Sequence, residues 1–228
     1  MNRFALFAVM MIMVLLAAVP VGAEITANVR IDDSLFVTYE FANVDQAVYD
    51  QARIEFTAER IPEAIVDNLE ATNQTAQWGL GPLPLDFDDA NRVVRVSFFL
   101  SGSSISSFSV NRTTLKRVYE VKTDWRKFRV NLTDSYSVDF AERLAAPVAD
   151  WQKPNATTFY YESKKTGAPD VLFYLVVPAS AMEVRAVGDT VFFEMQPYLE
   201  DQLLGTPFLI LAALAVALVI ILLYRKVR

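Results

Sequence analysis

The chain has 228 residues, of which 53% are hydrophobic, and it contains 27 acidic and 21 basic residues but no cysteine and no histidine. Without cysteine there are no disulfides, thiolate nucleophiles or zinc–sulfur sites. Without histidine the chain also lacks the commonest general base and the commonest metal ligand. This composition excludes many familiar enzyme and metal-site classes.

The N-terminus has the pattern of an export signal. A basic start is followed by an apolar run from Phe4 to Val19, then by Pro20 and the small-x-small sequence Val21-Gly22-Ala23. We therefore expect residues 1–23 to be a signal peptide that is cleaved after Ala23. The run is slightly long for a signal peptide, so an uncleaved signal anchor is the alternative.

A second apolar run lies near the C-terminus. No charged residue occurs from Phe208 to Leu223, and residues 203–224 together are long enough to cross a bilayer as a helix. The basic tail 225–228 follows directly, and basic residues stay on the cytoplasmic side. The sequence thus predicts one transmembrane helix at 203–224, with residues 24–202 as an extracellular domain.

The predicted extracellular domain is acidic. All 27 acidic residues lie between the two apolar runs, whereas four of the 21 basic residues lie outside residues 24–202, which gives this part a net charge of −10. Such a surface repels phosphate backbones, so we expect no nucleic-acid partner. The expected partners are the membrane and other envelope or membrane proteins, and the oligomeric state is left open.

Four positions match the N-glycosylation acceptor sequence, where about one would be expected by chance. Each has the form Asn-x-Thr, and the acceptor residues are Asn73, Asn111, Asn131 and Asn155. Used acceptor sites must lie on the outside of an exported protein. Together with the absence of cysteine, the four sites are typical of an archaeal surface glycoprotein. The alternative is that these residues simply occupy turns and strands.

The first part of the domain predicts a β-hairpin followed by two helices. Apolar residues alternate from Ile25 to Ile31 and again from Leu35 to Phe41, with a turn between them. Apolar residues then recur every fourth position from Val44 to Phe56, after Asn43 in a capping position. Pro62 fits the first turn of the second helix.

The rest of the domain is predicted to be mostly strands. Expected elements are a strand at 94–100, two strands around a turn at Thr123-Asp124, a short helix capped by Asp139, and a hairpin turning at Gly188-Asp189. Strand and helix do not alternate along the chain. The pattern predicts an α+β fold with a largely antiparallel sheet and one or two packed helices, with an all-β sandwich as the alternative.

Three groups of residues are weak candidates for chemistry. Asp86, Asp88 and Asp89 could hold a hard cation such as Ca²⁺, but their spacing lacks the glycine and terminal glutamate of an EF-hand loop and favours a solvated turn. The serine-rich run 101–107 lacks the surroundings of a nucleophile and indicates a flexible loop. The tryptophans, with Tyr160 and Tyr161, could form a binding platform or belong to the core.

We expect no catalytic activity and no cofactor. The sequence favours a membrane-anchored extracellular domain with a structural, adhesive or binding role at the cell surface. The alternative from another class is an accessory subunit that docks laterally in a membrane protein complex, and a membrane-tethered hydrolase is a minor alternative. Because spacing alone does not identify a catalytic pair among 27 acids, no catalytic residue is assigned.

Overall fold

A computed structural model describes residues 22–32, 34–57, 60–72, 77–133, 136–203 and 206–227. The apolar run of the expected signal peptide and Asn73 lie outside the described residues. Gly22 and Ala23 are described, and the backbone carbonyl of Ala23 accepts a hydrogen bond from the Asp170 backbone N–H at 3.0 Å. The chain is therefore tied into the fold just before its first strand.

The predicted first hairpin is confirmed. Strands β1 (Glu24–Ile31) and β2 (Leu35–Ala42) pair antiparallel, with Ile31 opposite Leu35 next to the turn. Every second side chain of both strands is buried, because alternate residues of a strand point to the same face of a sheet. The hairpin forms the centre of the larger sheet.

The larger sheet, sheet A, has eight strands in the order β10-β11-β12-β1-β2-β5-β3, and β4 also pairs with β5. The other strands of this sheet are β3 (Gly79–Leu80), β4 (Leu85–Asp88), β5 (Val93–Ser101), β10 (Gln152–Asn155), β11 (Thr158–Ser163) and β12 (Asp170–Val176). All of its pairs are antiparallel except β1 with β12, which run parallel from Glu24 opposite Asp170 to Arg30 opposite Val176. This pair joins the first and last thirds of the domain.

Two smaller sheets complete the β-structure. Sheet B has the order β13-β14-β7-β6, and sheet C is the hairpin β8–β9. Their strands are β6 (Ser106–Val110), β7 (Arg117–Lys122), β8 (Arg129–Thr133), β9 (Tyr136–Asp139), β13 (Met182–Val187) and β14 (Thr190–Met195). The predicted hairpin at Gly188-Asp189 is confirmed, and Gly188 has the positive φ of 57° that this turn requires.

The two strands expected around Thr123-Asp124 exist, but they do not pair with each other. β7 pairs with β6 and β14, and β8 pairs with β9. A short 3-10 helix at Asp124–Arg126 separates β7 from β8, and the Arg126 backbone N–H donates to the Thr123 carbonyl at 3.1 Å. The turn therefore directs the chain from sheet B to sheet C.

Both early helices are present. The α-helices within the described residues are α1 (Gln46–Glu55), α2 (Arg60–Thr72), α3 (Phe140–Arg143), α4 (Leu199–Leu203) and α5 (Thr206–Val227), with a second 3-10 helix at Val148–Asp150. Asn43 does not cap α1, because it has a φ of 55° and Asp45 takes the N-cap position. The predicted cap of α3 is confirmed, since the Asp139 side chain accepts from the Ala141 and Glu142 backbone N–H groups.

The core lies between the inner face of sheet A, the two early helices and sheet B. One continuous cluster of buried side chains includes Ile31 and Phe98 of sheet A, Tyr49 of α1, Leu69 of α2 and Phe193 of sheet B. The sheets and helices therefore bury their apolar faces against each other, as the predicted sheet-rich fold with few helices requires. At this level the α+β prediction is confirmed.

The C-terminal region consists of two helices. The short helix α4 follows β14, and α5 begins at Thr206. In α5 the side chains of residues 210–220 and of Leu223 are among those described, and they are exposed. No helix in the described part of the chain is long and apolar enough to cross a membrane.

Candidate functional site

The three aspartates proposed as a cation site lie on strand β4 and the turn after it, and each has its own protein partner. Asp88 accepts hydrogen bonds from the backbone N–H groups of Ala90 and Asn91, both at 3.1 Å. Asp86 lies 3.2 Å from Arg95 in an ion pair. Among the described residues no group of three or more acidic side chains is placed to hold a metal ion.

The third aspartate connects the turn to α1. Asp89 Oδ1 accepts a hydrogen bond from the Tyr49 hydroxyl at 2.8 Å and lies 2.8 Å from Arg53 Nη1. Burial, the hydrogen bond to Asp89 and the negative charge of that carboxylate raise the pKa of Tyr49 to about 12. Asp89 therefore acts as a link between the β4–β5 turn and α1.

Two of the acceptor asparagines are described with their side chains, and both are exposed. Asn111 follows β6, and its Oδ1 accepts from the Thr113 backbone N–H at 2.9 Å. Asn155 ends β10, and its Oδ1 accepts from the Thr157 backbone N–H at 2.9 Å. In each site the amide oxygen is bound within its own Asn-x-Thr turn, and the exposed position is suited to carrying a glycan.

The third acceptor, Asn131, lies in β8 opposite Ser137 of β9. Its side chain is outside the described ones, as is all of Asn73. The expected use of these four sites stays a prediction.

The proposed aromatic platform does not form. Trp125 and Trp151 are buried in the core, and Trp78 packs against it. The Tyr161 ring packs on Trp151 at 5.4 Å between centroids, whereas the neighbouring Tyr160 packs on Tyr174 at 4.9 Å. Adjacent residues of a strand point to opposite faces, so Tyr160 and Tyr161 do not share a surface.

The serine-rich run is held against the chain that precedes β3. Gly102 has a φ of 132°, and a Cβ at this position would lie 2.2 Å from the Gln77 carbonyl oxygen. The Ile105 and Ser106 backbone N–H groups both donate to the Gly102 carbonyl. The start of this run is therefore a tight turn packed against the chain before β3, and its expected flexibility stays a prediction.

The most distinctive polar arrangement in the domain joins β7 to α4, and we call it the C-terminal clamp (Phe108, Arg117, Tyr198 and Asp201). Arg117 Nε donates to Asp201 Oδ2 at 2.6 Å, and Arg117 Nη2 lies 3.3 Å from Asp201 Oδ1. The guanidinium lies between two rings, 4.0 Å from the Tyr198 centroid and 4.6 Å from the Phe108 centroid. Arg117 is thus held by a two-point ion pair and by two cation–π contacts.

The ion pair at the centre of the clamp is mostly shielded from water. The side chains of Arg117 and Asp201 are each only 11% exposed. The hydrogen bond with Asp201 raises the pKa of Arg117, and the same bond lowers the pKa of Asp201 against the opposing effect of burial. The Asp201 carboxylate also accepts from the Tyr198 backbone N–H at 3.1 Å, which fixes the start of α4.

Next to the clamp, sheet B carries a row of three aromatic rings, which we call the aromatic ladder (Phe193, Tyr119 and Phe108). Phe193 lies opposite Tyr119 on the neighbouring strand, and Tyr119 lies opposite Phe108. The ring centroids are 4.9 Å and 5.5 Å apart along this row. Phe193 and Tyr119 are buried, but Phe108 on the outermost strand is 53% exposed.

A buried arginine stabilises the end of sheet B that lies opposite the C-terminal clamp. Arg126 is fully buried, donates to the Thr123 carbonyl and the Ala146 carbonyl, and lies 2.8 Å from Asp189 Oδ1. Burial lowers the pKa of Arg126. Burial alone would raise the pKa of Asp189, but hydrogen bonds from Lys127 and Arg126 outweigh it and the net shift is downward. This network joins the β13–β14 turn to both 3-10 helices and is structural.

The cleft beneath α2 offers no polar chemistry. It is lined by the apolar side chains of Ile65, Leu69, Phe98, Leu100, Trp125 and Phe128. Lys116 and Lys127 are paired with Glu194 and Asp189.

Comparison of the chain with known protein families, with characterised proteins and with solved structures gave no significant match.

Proposed function

We propose that this chain is a membrane-anchored surface protein. Residues 1–23 would direct export, residues 24–202 would form an acidic domain outside the cell, and residues 203–224 would hold it in the bilayer. The domain would serve a structural, adhesive or binding role and not a catalytic one. The basic residues Arg225, Lys226 and Arg228 support this orientation, because positive charges are retained on the cytoplasmic side.

The observation that carries the proposal is the uncharged sequence run 203–224, and the described side chains of α5 are compatible with it. Every side chain from Ile210 to Ile220 is apolar and exposed on the isolated chain. A helix of a folded domain normally keeps a polar face toward water, whereas a helix that is apolar all round is suited to lipid. Within the sequence this segment belongs to the run 203–224, which contains no charged residue.

The C-terminal clamp supports a close attachment of the domain to the proposed anchor. Asp201 is bound to Arg117, and α5 begins at Thr206. The last firmly held residue of the domain therefore lies only a few residues before the anchor, and a linker this short cannot separate the domain far from the membrane. We propose that the domain works next to the bilayer surface.

An accessory subunit of a membrane complex is the second candidate. Ala213 and Ala217 form a small-xxx-small pair on α5, and such pairs let another helix approach closely. This pair favours lateral contact within the membrane, either with a different protein or with a second copy. The two cases differ in what co-purifies with the chain.

Anchoring can be tested with two versions of the chain expressed in the same cells. The full chain should stay in the membrane pellet after washing at alkaline pH and need detergent for release. A version that ends after Gln202, which keeps the clamp residues, should leave the membrane fraction. Recovery of the full chain in the wash would overturn the proposal, as would retention of the shortened chain.

The two candidates are separated by purifying the detergent-extracted full chain through a terminal tag. A surface protein that acts on its own should be recovered as one polypeptide species. A second membrane polypeptide that is present in fixed stoichiometry would instead favour the accessory subunit.

A further inference from the structure

The outermost strand of sheet B, β6, is an unprotected edge. It reads Ser-Ser-Phe-Ser-Val, without charge or proline, and four of its five residues are exposed. The end strands β10, β13 and β3 of sheets A and B carry the usual protection against strand pairing. Lys153 and Pro154 lie in β10, Glu183 and Arg185 lie in β13 beside a register shift, and β3 has only two residues.

The backbone of β6 has groups available for a further strand. Hydrogen bonds from Asn111 N to Lys116 O and from Lys122 N to Ile105 O fix the pairing with β7 at both ends. Hydrogen-bonded and non-hydrogen-bonded pairs alternate along an antiparallel ladder. The backbone groups of Phe108 and Val110 therefore point away from β7, and among the described residues no strand lies beyond them.

We propose that β6 pairs antiparallel with β6 of a second copy of this chain, with Phe108 opposite Phe108 of that copy. The aromatic ladder supports this occupant, because it stops at the half-exposed Phe108 and would continue through the same three rings of the second chain. The two Phe108 residues exchange two backbone hydrogen bonds. Val110 N–H of each chain donates to the Ser106 carbonyl of the other, which makes about four in total.

The charge of the chain leaves β6 as a strand at which a second copy is not repelled. The domain carries 27 acids against 17 bases, so most of its surface repels an identical molecule. Strand β6 brings no charged side chain into contact with itself. The Asn111 side chain is held in its own hairpin loop, where its Oδ1 is bound by the Thr113 and Thr114 N–H groups, and the pairing is tested with chain that carries no glycan.

The symmetry of this pairing is compatible with two anchors in one membrane. The twofold axis of an antiparallel strand pair is perpendicular to the sheet, so the inner faces of both copies of sheet B point to the same side. Arg117 shares the inner face with Tyr119, and it is covered by α4 through Asp201. Both α4 helices, and with them the starts of both anchors, lie on one side of the joined sheet.

The absence of native cysteine allows a test that is specific for this register. In the proposed pair Ser107 faces Ser109 of the second copy as a non-hydrogen-bonded pair, with Cα atoms about 4.5 Å apart, which a disulfide can bridge. We would co-express the full-length variants Ser107→Cys and Ser109→Cys with different tags and oxidise the membranes. Disulfide-linked dimers that carry both tags should exceed dimers of either variant alone by about tenfold.

The control variant is Val187→Cys, on the hairpin turn at the opposite end of sheet B, where the side chain is 63% exposed. It reports random collision and should give no more dimer than the single variants. Adding Phe108→Lys to both partners places two like charges at the centre of the pair and should lower the mixed dimer about fivefold. Because Phe108 also contacts Arg117 in the clamp, a melting temperature equal to that of the parent is the check that this variant is folded.

The proposal is overturned if the mixed dimer does not exceed the single variants, if Val187→Cys cross-links as efficiently, or if Phe108→Lys leaves the yield unchanged. The pairing uses only residues of sheet B. Its failure would therefore leave the proposed membrane anchor untouched, and loss of the full chain from the membrane fraction would identify a failure of the anchor.

Discussion

Arg117 and Asp201 are separated by 84 residues in the sequence, yet their side chains form a two-point ion pair with Nε and Oδ2 2.6 Å apart. The pair joins a strand in the middle of sheet B to the last helix before α5. Because both side chains are largely buried, it is less screened by water than an ordinary surface ion pair. It therefore sets the position from which the proposed membrane anchor leaves the domain.

Replacing Asp201 with Asn should weaken the domain measurably. The change keeps the shape of the side chain but removes the charge that pairs with Arg117, and we expect a loss of about 1–2 kcal/mol in the free energy of unfolding. Denaturation of the full chain in detergent would measure it. The matched control is Glu200→Gln, since Glu200 lies 3.9 Å from Arg117 and is 85% exposed. A control as unstable as Asp201→Asn would contradict the role of the clamp.

The stability of the domain should fall in acid. The pKa values of Asp201 and Asp189 are both lowered in the folded protein. A carboxyl with a lowered folded pKa contributes stability that is fully present above the unfolded value of about 3.9 and is lost as pH falls through the folded value. Urea titrations at pH 5, 4 and 3 should therefore show decreasing stability. The decrease should be smaller in Asp201→Asn, and an equally steep decrease would argue against its involvement.

The buried Arg126 should matter far more than a neighbouring exposed arginine. Arg126→Met leaves Asp189 without one of its cationic partners in the interior, and breaking a buried pair from one side costs about 3–5 kcal/mol. Arg129→Met is the control, because Arg129 is 62% exposed and its pair with Asp139 spans 3.4 Å. That change should cost less than about 1 kcal/mol. Thermal melts would compare the two variants. Similar losses of stability would contradict the structural role of the Arg126–Asp189 network.

The exposed acceptor sites should carry glycans in a host that glycosylates exported proteins. Asn111→Gln and Asn155→Gln should each remove one step of apparent mass on a gel, because both side chains are exposed within Asn-x-Thr turns. Asn28→Gln is the control, since Asn28 is exposed but is not followed by the acceptor pattern. Unchanged mobility of both acceptor variants would mean that the sites are unused.

The sequence reveals those parts of the fold that local chemistry determines. The hairpin at Gly188-Asp189 could be predicted because two alternating strands flank a turn that needs a positive φ. The cap at Asp139 could be predicted because its hydrogen bonds reach only two and three residues along the chain. In both cases the residues that define the element are neighbours.

Contacts between distant segments were not predictable in the same way. The parallel pairing of β1 with β12 joins strands whose apolar patterns suit many partners, so nothing local selects this one. The cap assigned to Asn43 failed because that residue adopts a positive φ. The clamp gave no sequence signal beyond the three-residue spacing of Tyr198 and Asp201, since it needs Arg117 from another strand.

The candidate functional residues show the same difference between features set by neighbouring residues and features set by distant ones. Exposure of Asn111 and Asn155 agrees with what an acceptor sequence requires, because the pattern itself favours exposed turns. The spacing of the three aspartates did not predict their role. Spacing alone does not reveal that Tyr49, Arg53 and Arg95 already bind two of these carboxylates. The free edge at β6 became visible only when the order of strands in sheet B was known.

Membrane orientation is tested most directly by labelling single cysteines in intact cells. Ala179→Cys places a thiol on the exposed surface of the domain, and Val227→Cys places one in the basic segment after the apolar run. A membrane-impermeant maleimide should label Ala179→Cys in intact cells and should label Val227→Cys only after the cells are lysed. Labelling of Val227→Cys in intact cells, or protection of Ala179→Cys until lysis, would contradict an extracellular domain held by a C-terminal anchor.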